Sequence, residues 1–491
     1  MSVFGHFPCI YEIHSEVLSM VYRQSPHQLS FESFGCGLST PLSPNNEWVR
    51  LADIFPWKEL DEAYQLEFSK KSTGRAAKPF RMLYGAGLIQ NRMKLTDRGV
   101  VDAIRDTPAY QYFIGLSEYR AEKPFAYTSL CTFRKRIADI SELVRNIIND
   151  WLRAKIEALV PFKVDVMITD ATAIPVKIRY PQDTSLLNQA RKNLEDMAID
   201  MAHQLNVPNP RMYKREAKQV WTAFSRHPKS QKQSVHKQVK AQLQYVRRDL
   251  RYINEFIDAG AILTAKQAVR LGVIRILFDQ QWYMFEHKIH HVADRIVSLQ
   301  QPYIRPIQRG KAKAKVEFGA KIDASFSEGI VDIERFEFRA FNESNDFEAT
   351  LDHYFDLHGH YPDEVLADTL YRNRDNRKLC KDLGITLCGP KLGAKPKHID
   401  AKKHRQDTDA ENRRGAIERR FAFLKGSVGL DLVNTRTAES LAVKIDQAMV
   451  LSNALTFLRV FAIPILILTT NEGQTYRFRY KFTTSIENMV A

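Results

Sequence analysis

From about residue 75 to 145 apolar residues recur three and four positions apart, the period of helices that bury one face. PFRMLYGAGLIQNRM shows it first. LTDRGVVDAIRDTP then opens on Thr96, whose hydroxyl suits a helix N-cap, and TSLCTFRKRI closes on Arg134, Lys135 and Arg136. FKVDVMITDAT (162–172) is rich in β-branched residues and predicts a strand ending at Asp170. Helical spacing returns from about 186 to 300. After GKAKAKVEFG the period becomes two, and VEFGAKIDASF and IVDIERFEFRA predict strands joined by a turn at Ser327–Gly329.

DFEATLDHYFDLHGH predicts a helix, DEVLADTL a strand reaching Asp368, and NRDNRKLCKDLG a helix closed by Gly384. ITLCGPKLG predicts a short strand running into a basic loop, 389–405, with six Lys and Arg against one Asp. A long helix is expected from Asp409 through ENRRGAIERRFAFLK, and another over TAESLAVKIDQAMVLSNALTFLRV. With the helical stretch set aside, strands and helices from 162 follow the order of a ribonuclease H-like mixed α/β sheet. The expected organisation is a segment 1–74 of unknown role and a helical domain over 75–150. A catalytic domain over 160–460 follows, with a helical insertion at about 186–305, and then a tail, 461–491.

Composition narrows the class. Apolar residues are 44% and charged residues 26%, as in an ordinary globular protein, and 491 residues predict more than one folding unit. Lys and Arg number 72 against 57 Asp and Glu, a net +15. Such a surplus points to nucleic acid as partner, with a merely basic enzyme as the alternative. Within 211–251 there are 12 Lys and Arg against 2 acids, either a solvated helical face or the lining of a DNA channel. The basic helix ending at Arg134, Lys135 and Arg136 fits a helix-turn-helix-like reader, with a plain helical bundle as its rival. The five cysteines are scattered and form no CxxC pair, which predicts a reducing, cytoplasmic setting. The N-terminus lacks the pattern of a secretory signal, and the apolar run from Phe461 is too short to span a bilayer.

Two acids at expected strand ends carry the candidate chemistry. Open α/β sheets bind ligands beyond the carboxyl ends of their strands, so Asp170 and Asp368 are expected to converge there. Glu418, on the long helix, is the third acid. Arg414 lies four residues before it and Lys425 seven after, which places all three on one helical face. Three carboxylates suit hard cations such as Mg²⁺, and two such ions stabilise both oxygens of a phosphodiester displacement. Asp165 is expected to point away from Asp170, Asp323 to be structural or part of an ion pair, and Asp375 to be solvated surface. His287 and His291 stand four apart in FEHKIHHVADRI, but no HExxH motif or third ligand accompanies them.

The segments ITDATAIPVKIRYPQDTSLLNQAR, VLADTLYRNRDNRKLCKDLGITLCGPKLG and NRRGAIERRFAFLKGSVGLDLV resemble the three acidic blocks of DDE transposases. The particular kin are bacterial insertion-sequence transposases of the IS-four and IS-five superfamily. The region from PFRMLYGAGLIQNRM to TSLCTFRKRI is similar to the helical N-terminal domain of the same family, so the resemblance spans roughly 75–455. It implies that Asp170, Asp368 and Glu418 are the catalytic, metal-holding acids, with two Mg²⁺ ions (or Mn²⁺) and no organic cofactor. It also implies that Arg414 and Lys425 contact DNA beside the cleaved end. One departure stands out: the family's signature helix carries Tyr three residues before the Arg, where this chain has Glu411.

The expected activity follows from that resemblance. The chain would bind the ends of its insertion sequence as a homodimer, cut them, and join the freed 3′-hydroxyl to target DNA in the bacterial cytoplasm and nucleoid, with no membrane partner. A structure-specific nuclease of the same fold and an inactive DNA-binding relative are the alternatives.

Overall fold

The computed structural model describes residues 42–66, 76–159, 165–226, 232–308, 316–389 and 401–460, with two short strands beyond. Residues 1–41, most of the basic loop 389–405 and most of the expected tail lie outside the described residues, as do Cys9 and Cys36. The chain divides into two compact units, Met1–Leu159 with Asp446–Ile463, and Val160–Ile445 with Pro464–Ala491.

The first unit is helical. Its helices are α1 (Glu47–Ile54), α2 (Trp57–Gln65), α3 (Phe80–Arg92), α4 (Asp97–Asp106), α5 (Pro108–Phe113), α6 (Thr128–Arg136) and α7 (Ser141–Leu159). Thr96 caps α4 as its hydroxyl suggested, accepting from the Gly99 amide at 3.0 Å. Trp48, Phe55, Trp57 and Phe113 meet through stacked and edge-on rings, so aromatic burial closes this core.

The second unit is built on β1 (Val166–Pro175), β2 (Arg305–Gln308), β3 (Val316–Ser327), β4 (Ile330–Glu337), β5 (Glu364–Ala367) and β6 (Thr386–Cys388). The sheet runs β2-β3-β1-β5-β6, with β4 also paired to β3. β1 is antiparallel to β3 and parallel to β5, and β5 is parallel to β6. This mixed sheet is compatible with a ribonuclease H-like core beside helical regions, as the order of elements predicted.

Between β1 and β2 lie α8 (Asp183–Gln204), α9 (Lys214–Ser225), α10 (Lys232–Asp258) and α11 (Ala265–His287). α8, α10 and α11 share an apolar core that includes Leu187, Leu194, Leu243, Val246, Ile274 and Leu277. The remaining helices are α12 (Phe347–His358), α13 (Arg374–Asp382), α14 (Ala401–Ser427) and α15 (Ala438–Val460). α15 is long and apolar enough to cross a membrane, but most of its residues are buried inside the protein.

Four expectations need correction. β1 does not end at Asp170; it continues to Pro175, because β3 supplies pairing partners as far as Gly319. α14 starts at Ala401 rather than Asp409, since the Ala, Lys, Arg and Gln taken for loop are good helix formers. The short edge strand β2 carried too few residues to show a period. Finally, α11 stops at His287 with Lys288 in the left-handed region, so His287 and His291 do not share a helix.

Candidate active site

Register brings the first two acids together. In the parallel pair, Thr169 stands opposite Ala367, so Asp170 and Asp368 are the next residues along adjacent strands. Asp170 is mid-strand and half-buried, and its Oδ1 accepts from the Ala171 amide at 2.8 Å. Asp368 leaves the end of β5 and caps the single 3₁₀ turn Thr369–Tyr371, accepting from the Thr369 amide at 2.6 Å.

The third acid arrives on α14, which packs against both β1 and β5. Side-chain contacts hold this helix to the sheet at three levels. Arg413 grips Glu364 of β5 through two guanidinium nitrogens, one at 2.8 Å. Arg420 donates to the Gly329 carbonyl at 3.1 Å, and Lys425 to the Thr172 hydroxyl at 2.8 Å. Thr172 lies two residues beyond Asp170 and therefore on the same face of β1.

Arg414 sits between the acids. Its guanidinium reaches Glu418 at 3.1 Å, one turn along the helix, and Asp170 at 3.9 Å. It also donates to Glu411 at 2.8 Å, so the residue standing where the resembling family has Tyr acts as a local counter-charge.

Electrostatics mark Asp170 as the unusual member. Burial pushes its carboxyl up to about 6. The Ala171 amide and Arg414 oppose that rise, while Asp368 and Glu418 are close enough to push it further up. Negative charge is thus concentrated where water solvates it poorly, a condition a bound cation relieves. The donor set, three carboxylates from two strands and a helix, fits a hard divalent ion in kind. Among the described residues no three His, Cys, Asp or Glu side chains yet stand close enough to grip an ion together, and Arg414 fills the gap between Asp170 and Glu418.

A buried pair lies beneath this edge that sequence reasoning did not reach. Asp323 is fully buried on β3, opposite Ala171, and the Tyr371 hydroxyl donates to its Oδ1 at 2.6 Å. Tyr371 closes the turn that Asp368 caps, its amide returning to the Asp368 carbonyl at 3.1 Å. Burial pushes the Asp323 carboxyl up to about 7, and its Oδ2 has no hydrogen-bond partner among the described residues. The expectation for Asp323 is a structural or ion-paired acid; its partner is instead the Tyr371 hydroxyl, for which the one sequence signal is a Tyr three residues after the second acid.

Other candidates are placed as follows. Arg134 is buried, paired with Asp97 at 2.6 Å and close to Gln90, so it serves the core of the first unit rather than a DNA-facing surface. Lys135 is exposed, and Arg136 is half-buried and donates to the Tyr64 hydroxyl at 3.3 Å. Asp165 precedes β1 and lies 3.6 Å from His360. Asp375 is exposed in the first turn of α13.

Comparison with known proteins gives two family matches. Residues 365–459, which include Asp368 and Glu418, match the family described as Transposase DDE domain. Residues 38–136 match the Transposase domain (DUF772). A Rhizobium meliloti relative, named uncharacterized protein ORF8 in nfe locus, is 27% identical over 186 residues, covering 37% of this chain and 86% of that protein.

Proposed function

We propose that the chain is an insertion-sequence DDE transposase that cuts the ends of its element and joins them to new DNA at Asp170, Asp368 and Glu418, a reading supported by the two transposase family matches. The observation that carries the proposal is that Asp170 and Asp368 follow the paired Thr169 and Ala367 on adjacent strands, with Glu418 of α14 linked to Asp170 through Arg414. Hydrolysis of one strand at the element's end leaves a 3′-hydroxyl and a 5′-phosphate. That hydroxyl then attacks a phosphodiester of target DNA, forming a new ester and releasing the target's own 3′-hydroxyl.

Asp170, Asp368 and Glu418 would hold the divalent cations, Mg²⁺ or Mn²⁺. Bound there, they supply Lewis-acid stabilisation of the attacking and leaving oxygens. The remaining chemistry is positional. The Ala171 amide fixes the rotamer of Asp170, and the Thr369 amide that of Asp368, before any substrate arrives. Arg413, Arg420 and Lys425 set the height of α14 along the sheet and hence the position of Glu418. Arg414, released from Glu418, would pair with a DNA phosphate through its forked donors, and Lys425 with a neighbouring one. Exposed Lys135 adds a backbone contact, and two copies would hold the two ends.

The test uses purified protein and a plasmid carrying the element's own ends. Wild type should make Mg²⁺-dependent breaks there and join them to other DNA, whereas Asp170→Asn, Asp368→Asn and Glu418→Gln should bind the ends without cutting. Cutting retained by Asp368→Asn would refute the site. Cutting without joining would leave a nuclease of the same fold.

A further inference from the structure

The helical insertion carries a cationic surface that the chemistry above does not use. α10 buries Leu243, Val246 and Ile253 against α8 and α11. On its outer side Lys237, Lys240, Gln244, Arg247 and Arg251 are exposed, in steps of three, four, three and four. Those steps average 3.5 residues, close to the helical repeat, so the five side chains form one stripe. Fourteen residues at 1.5 Å each make that stripe about 21 Å long. α9 carries a shorter cationic face, with Arg215 and Lys218 exposed and Arg226 exposed at its C-cap.

Counter-charge within 211–251 is scarce. Of the two acids in 211–251, Asp249 is fully buried and paired with Arg248 at 2.7 Å. The other, Glu216, lies on α9. Beyond that stretch Glu255 meets the last cation of the stripe, Arg251, at 3.4 Å. An ordinary solvated helix face interleaves both signs, because a run of one sign repels itself. A row of four cations and an amide is complementary to a polyanion with regularly repeated charge. Duplex DNA presents a phosphate every 3.4 Å or so along each strand, so about 21 Å spans roughly six of them. Arg247 and Arg251 lie over the Trp282 and Tyr252 rings, at 5.6 and 5.3 Å, which steadies their cationic heads for contact with phosphates.

We propose that the outer face of α10, with the basic face of α9, binds duplex DNA through its phosphate backbone without reading sequence. The inference rests on the transposase reading for its biological setting, since an enzyme that joins ends to varied targets needs such a hold on DNA of any sequence.

The experiment compares wild type with a variant carrying Lys237→Gln, Lys240→Gln, Arg247→Gln and Arg251→Gln. Binding to a duplex of the element's end and to a random-sequence duplex is titrated at several salt concentrations. Losing four phosphate contacts should lower the slope of log affinity against log salt by about 3.6 on both duplexes. An unchanged slope overturns the proposal. A slope lowered only on the end duplex overturns the claim that sequence is not read. Should the fourfold variant lose its helical circular dichroism, Lys240→Gln and Arg247→Gln singly, each expected to lower the slope by about 0.9, decide the matter. A wild type that binds both duplexes steeply but never cuts its ends would sink the transposase chemistry and leave this surface standing; cutting by wild type with an unchanged slope does the reverse.

Discussion

Replacing Tyr371 with Phe removes one oxygen from the buried contact under the acidic edge, and its effect on stability should depend on pH. The Asp323 carboxyl ionises near 7 in the folded chain, raised chiefly by burial, against an ordinary value of 3.8. A carboxyl raised in this way destabilises the native state as pH rises. The loss begins above the unfolded value and is complete once pH passes the folded one. Worked through, the cost is about 3 kcal/mol at pH 6 and about 4 kcal/mol at pH 8.

The Tyr371 hydroxyl, at 2.6 Å, is the donor that limits this cost. A hydrogen bond to an ionised group contributes about 1.5–3 kcal/mol and one to a neutral group about 0.5–1.5 kcal/mol. Tyr371→Phe should therefore cost about 2 kcal/mol at pH 8 and about 1 kcal/mol at pH 6. Asp323→Asn keeps an acceptor for the hydroxyl and removes the buried charge, so it should be more stable than wild type at pH 8. Urea unfolding of all three proteins at both pH values measures this. Equal losses for Tyr371→Phe at the two pH values, or an Asp323→Asn protein weaker than wild type at pH 8, would refute the reasoning.

Two further substitutions probe the packing inside each unit. A Cβ at Gly319 would stand 1.9 Å from the Ile174 carbonyl oxygen across the β1–β3 pair, so Gly319→Ala should cost about 3 kcal/mol by overpacking. Thermal unfolding checks it, and an unchanged melting temperature would mean the strands are not registered as described. Asp446, from α15, pairs with Arg145 and accepts from the Ser141 hydroxyl at 2.6 Å within the first unit, all three side chains being buried. Asp446→Ala removes the buried counter-charge of Arg145, leaving it the exposed Glu142 at 3.1 Å, and should cost about 3 kcal/mol, visible as a lowered denaturant midpoint.

Much of this protein was legible along the chain because local periodicity is a local property. The alternation in VEFGAKIDASF and IVDIERFEFRA, the Thr96 cap and the helix before Gly384 each depend on a few neighbouring residues, and each appears where the pattern placed it. The order of elements was enough to predict a mixed sheet of ribonuclease H-like type. The chain nominates Asp170 and Asp368 as strand-end acids, which holds for Asp368 alone, and the resemblance of the three blocks brings in Glu418.

What the tertiary structure decided is everything that depends on a partner far away in sequence. The extent of β1 past Asp170 was set by the length of β3, and the level of Asp368 by parallel pairing of β5 with β1, some two hundred residues apart. Whether an arginine faces solvent or the core depends on what packs over it: Arg134 found Asp97, whereas the cations on α10 face outward because the opposite side of that helix is apolar. The Asp323–Tyr371 contact joins residues 48 apart that no spacing rule connects. Period and propensity act within a turn or two of chain, while burial and register are settled only when distant strands and helices meet.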